Sequence, residues 1–441
     1  MCYSIAMQDT LEKIPLEPAL IVRATLALHT WLPDGLAQGI VVEAVHEKLP
    51  DGTTLSVLGG IPGETVEVEV GWSAIWRAKQ RKHPKPPIVR LVRVIHAAPE
   101  RITPRCPVFG DCGGCRLQHI PYAAQLTWKQ HRVAEALAAA SLPTTSLLPT
   151  LGMDAPWEFR NQMRFAINRE GAPGLTAYGT HRVIPLADCP IAHQSINATL
   201  AVLSTVSNPR PQVLIRCGAH TGELLVQPAP TGDVAAALTA AQITTRTDGL
   251  REELGGLTFA MRPSSFFQTN TAQAEVMAEL VMAQIPAGPQ TTVADAYCGV
   301  GTFAALLAQR AAQVIAIEES ASAVRDARDN LQSLGITNVE VHQGRAEVLL
   351  PTLTTTIDAI VLDPPRMGCL RPMLDAILTR QIPRVVYVSC DPTTLARDLA
   401  ILCNDGRYAL SSVQPLDMFP QTHHIECVAT LDFVGEKLTE K

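Results

Sequence analysis

The sequence has no apolar run long enough to span a membrane. Its start carries Asp9 and Glu12 instead of a basic-then-apolar leader, so no secretory signal is read there. A cytoplasmic protein without a membrane partner is expected. The sequence also shows no internal repeat, no low-complexity tract and no collagen-like or disordered composition. Net charge is not positive: the formal balance is −6, which by itself argues against a nucleic-acid partner. A complete G-x-G-x-x-G dinucleotide fingerprint is absent as well. The eleven cysteines are an odd number, and three crowd into ten residues, which is not the pattern of a secreted disulfide framework.

What is present divides along the chain. Apolar residues at 47% of 441 are enough for ordinary cores, and the length suggests roughly two to four domains at about 100–200 residues each. Residues 1–20 read as a lead-in. Residues 21–96 carry short alternating runs (Gly39–Val45, Thr54–Leu58, Thr65–Val70, Ile88–Ile95) punctuated by glycine, the pattern of a small β-barrel. From Trp72 to Arg93 there are seven Lys/Arg and no Asp/Glu. The stretch WSAIWRAKQRKHPKPP interleaves aromatics with cations, which suits an RNA strand: rings stack on bases and cations meet phosphates. A solvated basic loop has the same composition. Residues 97–265 are mixed, with a helix over His119–Leu142 closed by Pro143 and strands near Arg164–Ile167, Gln212–Cys217 and Glu223–Gln227.

Residues 266–441 alternate strand and helix through seven strands, the last two joined without a helix. That predicts an α/β domain with a mostly parallel, doubly wound sheet and an antiparallel edge pair. In the stretch VYVSCDPTTLARDL an apolar strand runs into Ser389-Cys390-Asp391-Pro392, with Thr393 or Thr394 expected to cap the next helix. Cys390 thus stands just past the carboxyl end of a strand, where open α/β sheets bind ligands. A thiol there is either a covalent nucleophile or a structural cysteine.

Other candidates fall at the same edge. Asp295-Ala-Tyr-Cys-Gly-Val-Gly-Thr-Phe links the first strand to its helix, and Gly299 and Gly301 permit a tight turn and close cofactor approach. Glu318 ends the second strand, where an acid can hold a ribose diol or simply face solvent. Asp363, in Asp363-Pro-Pro-Arg366, ends the fourth. Gln268, in SFFQTN, carries little intrinsic signal. Glu426 enters an apolar strand, where partial desolvation fits a carboxylate to act as a base; a solvent-facing strand end is the plain alternative. His423 and His424, adjacent on a strand, would point opposite ways and make a poor metal pair. Cys106, Cys112 and Cys115 are spaced C-x5-C-x2-C with three glycines between, and Cys189 can supply a fourth thiolate. All-cysteine ligation suits an iron–sulfur cluster or zinc, and the spacing does not choose between them.

Together these motifs resemble one family, the S-adenosylmethionine-dependent RNA uracil-5-methyltransferases. The likeness is greatest to the 23S rRNA type with an N-terminal TRAM domain and a 4Fe-4S cluster. It is carried in order by the cluster cysteines with Leu117-Gln118, Phe159-Arg160-Asn161, Cys189-Pro190, SFFQTN, DAYCGVGTF, DPPRMG, VSCDPTTLARDL and DMFPQTHHIE. In the barrel it is weaker, where Leu58-Gly-Gly-Ile61 precedes the Pro62-Gly63-Glu64 turn. The resemblance implies a Rossmann-like class I methyltransferase domain at 266–441, a TRAM/OB-like RNA-binding barrel at 21–96 and a central α+β domain at 97–265 carrying the cluster. It implies S-adenosylmethionine ligands at Gln268, Tyr297, Glu318 and Asp363, the nucleophile at Cys390 and the base at Glu426. It places the 4Fe-4S ligands at Cys106, Cys112, Cys115 and Cys189, favouring iron–sulfur over zinc, and leaves Cys298, Cys369, Cys403 and Cys427 structural.

The implied activity is methylation of uridine C5 in 23S rRNA by a monomer, with tRNA as the alternative substrate. Carbon 5 of uracil is a poor nucleophile until a thiolate adds at C6, and a base must then remove the C5 proton so that the thiolate can leave. The target base has to leave its stack. Three competing readings are a non-catalytic RNA-binding module of the same fold, a cytosine-5 methyltransferase and an NAD-dependent oxidoreductase.

Overall fold

The computed structural model describes residues 21–44, 51–71, 87–286 and 288–435. The lead-in and most of the basic aromatic stretch, residues 72–86, lie outside the described residues. The chain divides into two compact units, Met1–Arg101 and Ile102–Lys441.

In the first unit, β1 (Ile21–Trp31), β2 (Ala37–Ala44), β3 (Thr54–Val57), β4 (Thr65–Gly71) and β5 (Ile88–His96) close a barrel in the order β1-β2-β3-β5-β4. Alternation along each strand sends Leu26, Leu55, Val66, Val68 and Val89 into one apolar interior. Glu64 ties the barrel's turn to its exit. It accepts from the Ile61 and Ala98 amides at 2.9 and 3.1 Å and, through both carboxylate oxygens, from Nε and Nη2 of Arg101. Burial opposes its charge, but the Arg101 bonds prevail and hold its carboxyl below the usual value. Outside the barrel, Arg93 pairs with Glu67 at 2.5 Å and Arg90 with Glu69 at 3.4 Å. The acid-free run read from the sequence therefore meets acids from the neighbouring strand, and these two cations are already partnered.

The second unit has two layered regions. A five-stranded sheet, β6 (Gln162–Ile167), β7 (Pro173–Thr176), β8 (Val183–Pro185), β9 (Gln212–Cys217) and β10 (Leu224–Gln227), runs in the order β10-β9-β6-β7-β8, all antiparallel. The long helix α1 (Tyr122–Ala139) precedes it, and α2 (Gln194–Leu203) and α3 (Gly232–Ala240) cover one face. A hairpin of β11 (Leu250–Leu254) and β12 (Leu257–Met261) follows. Its Gly255-Gly256 turn takes φ of 60° and 77°, values that suit glycine in a two-residue hairpin.

The last region is a seven-stranded sheet. Its strands are β13 (Gly288–Ala296), β14 (Ala311–Glu318), β15 (Val339–Gln343), β16 (Ala359–Leu362), β17 (Arg384–Ser389), β18 (Tyr408–Leu416) and β19 (Glu426–Phe433). The order is β15-β14-β13-β16-β17-β19-β18. The first five are parallel, and β19 inserts antiparallel between β17 and β18. Helices α4 (Thr271–Gln284), α5 (Thr302–Leu307) and α6 (Ala321–Ser333) pack on one face. Helices α7 (Ala346–Leu349), α8 (Arg371–Arg380) and α9 (Pro392–Cys403) pack on the other. Helix α1 joins that second face through Val133 and Leu137. The expected boundary at 265/266 thus falls inside one compact unit, because α1 supplies part of the seven-stranded sheet's cover. Among the described residues no helix is long and apolar enough to cross a membrane.

Candidate active site

Strand register assembles the site. Ala296 stands level with Ile317 on one side and Leu362 on the other, so the next residues, Tyr297, Glu318 and Asp363, leave the sheet along one edge. On the far side Ser389 faces Cys427 across an antiparallel pair. The residue after one and the residue before the other, Cys390 and Glu426, therefore emerge together. The crossing direction of β19 is what lets a strand's beginning meet another strand's end.

The turn after β13 is shaped by left-handed residues: Tyr297 (φ 71°), Gly299 (φ 57°) and Gly301 (φ 86°). The Gly299 amide donates to Glu318 Oε2 at 3.0 Å and the Ser320 amide to Oε1 at 2.7 Å. Asp295 is fully buried, and neither carboxylate oxygen makes a hydrogen bond of good geometry, although the Ala304 amide favours its charge from nearby. Burial, then the charges of Asp363 and Glu318, push its carboxyl up to about 8. Burial likewise pushes Asp363 up to about 7. Three carboxylates thus share a small volume. Sequence reasoning assigns Asp295 no role of its own; the signal that could have found it is an acid inside the apolar run Val293–Ala296.

Burial drives the Cys390 thiol up to about 11. The charges of Glu426 and Asp363 add to the rise, and the Arg366 guanidinium opposes it. Glu426 is 5% exposed and its carboxyl is raised well above the ordinary value by burial and by Asp363, again opposed by Arg366. Cys390, Asp363, Arg366 and Glu426 therefore sense one another. The helix after Cys390 holds the loop after Asp363. Thr394 Oγ1 donates to the Arg366 carbonyl at 3.1 Å, Arg397 to the Met367 carbonyl at 2.8 Å, and the Cys369 amide to Asp398 Oδ2 at 2.8 Å. Tyr387 Oη completes this network on Asp398 at 2.7 Å.

Two local expectations change. The cap of α9 is Asp391, whose Oδ1 accepts from the Thr393 and Thr394 amides at 2.9 and 3.1 Å. Pro392 occupies the first helical position and has no N–H, so the residue before it is the one whose carboxylate reaches the free amides. His423 and His424 do not point apart: their ring centroids are 4.1 Å apart. They lie in the turn before β19, where strand alternation does not apply. Burial and neighbouring charge keep both neutral, at about 3 and about 4.

Gln268 is half-buried on the segment leading into α4. Its carbonyl accepts from Asn161 Nδ2 at 3.1 Å, and two residues on Asn270 Nδ2 donates to the Met418 carbonyl at 3.0 Å. No hydrogen bond among the described residues links its side chain to Tyr297, Glu318, Asp363, Cys390 or Glu426.

Residues 240–433 match the tRNA (uracil-5-)-methyltransferase family. An uncharacterised RNA methyltransferase of Thermosynechococcus vestitus is 35% identical over 389 residues, covering 78% of this chain and 87% of the relative. One of Gloeobacter violaceus is 35% identical over 435 residues, covering 87% and 93%. The chain belongs to the RNA uracil-5-methyltransferase family. It is an RNA methyltransferase. Its fold is also that of Pyrococcus abyssi tRNA (uracil-54, C5)-methyltransferase, solved with S-adenosyl-L-homocysteine, at a TM-score of 0.67 and 21% identity over 93% of this chain and 99% of the other.

In this methyltransferase the four cysteines at 106, 112, 115 and 189 line one cavity of about 220 Å³, with Phe109, Gln118, Arg160 and Met163 among its walls. The Cys106 amide donates to Gln118 Oε1 at 3.0 Å, the Gly114 amide to Cys112 Sγ at 3.4 Å, and the Cys189 amide to Asn197 Oδ1 at 3.0 Å. Burial raises all four thiols, Cys189 to about 11, and the other thiols of the cavity add to the rise at Cys112, Cys115 and Cys189. Arg160 is a half-buried cation beside Cys115 and Cys189. Among the described residues no three His, Cys, Asp or Glu side chains converge as a site for a metal ion.

Proposed function

We propose that this protein transfers the methyl group of S-adenosylmethionine to C5 of a specific uridine in 23S rRNA through a covalent adduct between Cys390 Sγ and uracil C6. The observation that carries the reading is the meeting of Cys390, Asp363 and Glu426 at one sheet edge, each raised by burial and, for Cys390 and Glu426, by its neighbours. Such groups gather where chemistry needs them, because a folded core gains nothing from burying unpaired acids.

Gln268, Tyr297, Glu318 and Asp363 hold the methyl donor, and Asp295 adds a third carboxylate. A cationic sulfonium ligand relieves the mutual repulsion of these acids, whereas a dinucleotide pyrophosphate would increase it. The donor supplies an electrophilic methyl. Cys390, half-exposed on its open side, loses its proton to solvent with the Arg366 charge favouring the thiolate. The thiolate adds to C6, and the C5=C6 electron pair becomes an enolate. C5 takes the methyl as the methyl's bond to the sulfonium sulfur breaks, leaving S-adenosylhomocysteine, and C5 retains its hydrogen. The Glu426 carboxylate removes that hydrogen as a proton, the C5=C6 bond reforms, and the C6–S bond breaks to return Cys390.

We assign RNA binding to the barrel with residues 72–86, and a 4Fe-4S cluster to the four-cysteine cavity of the central segment. An all-thiol donor set fits that group. A single zinc needs sulfurs about 3.8 Å apart, given Zn–S distances near 2.3 Å; a cuboidal cluster spaces its thiolates wider and fills a cavity of its own.

The test uses anaerobically purified protein, labelled S-adenosylmethionine and unmodified total RNA, with rRNA and tRNA separated and digested. Label in 5-methyluridine of 23S rRNA supports the reading. Label in tRNA corrects the substrate, label in 5-methylcytidine overturns the base assignment, and none at all points to a binding module. Glu426→Gln should leave methylated RNA attached to the protein, and normal release of free product would remove Glu426 as the base.

A further inference from the structure

The loop Met418–Ile425 delivers Glu426 to the sheet edge, and it is gripped at its centre. Gln421 adopts φ 67°, a region that residues other than glycine seldom enter. Every polar group of Gln421 is engaged. Its amide donates to Gln125 Oε1 at 3.1 Å and its carbonyl accepts from the Arg116 and Leu117 amides at 2.9 and 3.0 Å. Its side-chain Oε1 accepts from Gln125 Nε2 at 3.0 Å, and its Nε2 donates to the Pro156 carbonyl at 3.4 Å. Gln125 and Gln421 are 1% and 2% exposed. One turn further along the same face of α1, Lys129 Nζ holds the Asp417 carboxylate and the Phe419 carbonyl. Arg116 and Leu117 directly follow Cys115 in the chain.

We propose that Gln125 and Gln421 form a positioning clamp for the base: α1 and the segment after Cys115 together fix the backbone that aims Glu426. A buried amide pair adds little net stability over an apolar pair of the same volume, because each polar group must first leave water. What it adds is direction. Reciprocal bonds to the amide and side chain of Gln421 set its backbone in one conformation, and the path Cys115–Arg116–Leu117–Gln421 joins the four-cysteine site to the base-bearing loop.

This inference rests on the reading of Glu426 as the base. Addition to C6 and methyl transfer use Cys390 and Asp363, which follow β17 and β16 and do not sit on the clamped loop. Only removal of the C5 proton and release of Cys390 use Glu426. Loosening the clamp should therefore slow release selectively.

The experiment is a single-turnover reaction of the holoprotein with labelled S-adenosylmethionine and unmodified RNA, quenched in detergent. It follows the covalent adduct and free 5-methyluridine for wild type, Gln125→Met, Gln421→Asn and Glu426→Gln. Gln125→Met keeps volume and helix preference, and Gln421→Asn keeps a residue tolerant of the left-handed region while withdrawing its amide from Gln125. Both clamp variants should methylate near the wild-type rate yet release product about tenfold more slowly, accumulating adduct as Glu426→Gln does. Release at the wild-type rate in both overturns the clamp. So does loss of both steps in proportion, unfolding of both variants included, since that reduces the pair to a structural element. If neither wild type nor Glu426→Gln ever shows an adduct, the reading of Cys390 and Glu426 fails first and the clamp falls with it.

Discussion

Replacing Lys129 by methionine tests how the base-bearing loop is anchored. Lys129 and Asp417 are both fully buried, and the pair spans 288 residues of sequence. Methionine keeps most of the apolar stem of lysine, so packing is largely preserved. What disappears is the cation that pairs with Asp417 and the donor on the Phe419 carbonyl at 3.1 Å. Removing one member of a buried ion pair costs about 3–5 kcal/mol, because the other charge is left desolvated. At roughly 2–4 °C per kcal/mol for a domain of this class, the melting temperature should fall by about 6–20 °C. Adding Asp417→Leu to Lys129→Met removes the stranded charge and should recover most of the loss, since apolar replacements for buried pairs are often neutral. Calorimetry of wild type, the two single variants and the double variant closes the cycle. A loss below about 1 kcal/mol in Lys129→Met, or a double variant no better than that single one, would refute the argument.

Other expectations are as specific. Cys390→Ala should abolish both methylation and the covalent RNA adduct, and robust turnover by that variant would sink the mechanism. The ligand-free protein should lose stability as pH rises from about 6.5 through 8, above the range in which His423 and His424, neutral in the folded state, act in the opposite sense. Asp363 and Asp295, raised to about 7 and about 8, bind protons in the folded state that the unfolded chain has already released, so their contribution is complete below the unfolded value and lost above the folded one. Thermal melts across that range check it, and a flat or rising profile would contradict it. Cys189→Ser should remove one thiolate from the cavity and lower iron content and visible absorbance in anaerobically reconstituted protein. Gly368→Ala should disorder the loop after Asp363, because Gly368 has φ 76° and a Cβ there would lie 2.5 Å from Asp398 Oδ2. Methyl transfer should fall with it, and unchanged kinetics would show that the loop tolerates the shift.

Much of the catalytic sheet was legible because its signals are local. Val339–Gln343, Ala359–Leu362 and Tyr408–Leu416 are among the seven strands that the strand–helix alternation of residues 266–441 predicts. Cys390, Glu318 and Asp363 each sit at a strand end that hydrophobic patterning marks. The hairpin Leu250–Met261 was not legible, since a short strand with three consecutive charged residues, Arg251-Glu252-Glu253, reads as loop until a partner strand is present. The opposed histidines failed for the reverse reason: a two-residue period was assumed where the backbone turns.

The sequence by itself determined the family and the chemistry-bearing residue types, since a thiol after an apolar strand, a glycine turn and a cysteine cluster are all short-range patterns. Tertiary structure alone decided which of them act on one another. The antiparallel insertion of β19 put Glu426 beside Cys390, three parallel strand ends brought Asp295, Glu318 and Asp363 into one desolvated volume, and α1 reached across 296 residues to hold Gln421. Burial and mutual charge, which raise Asp295, Cys390 and Glu426, exist only once those elements have packed.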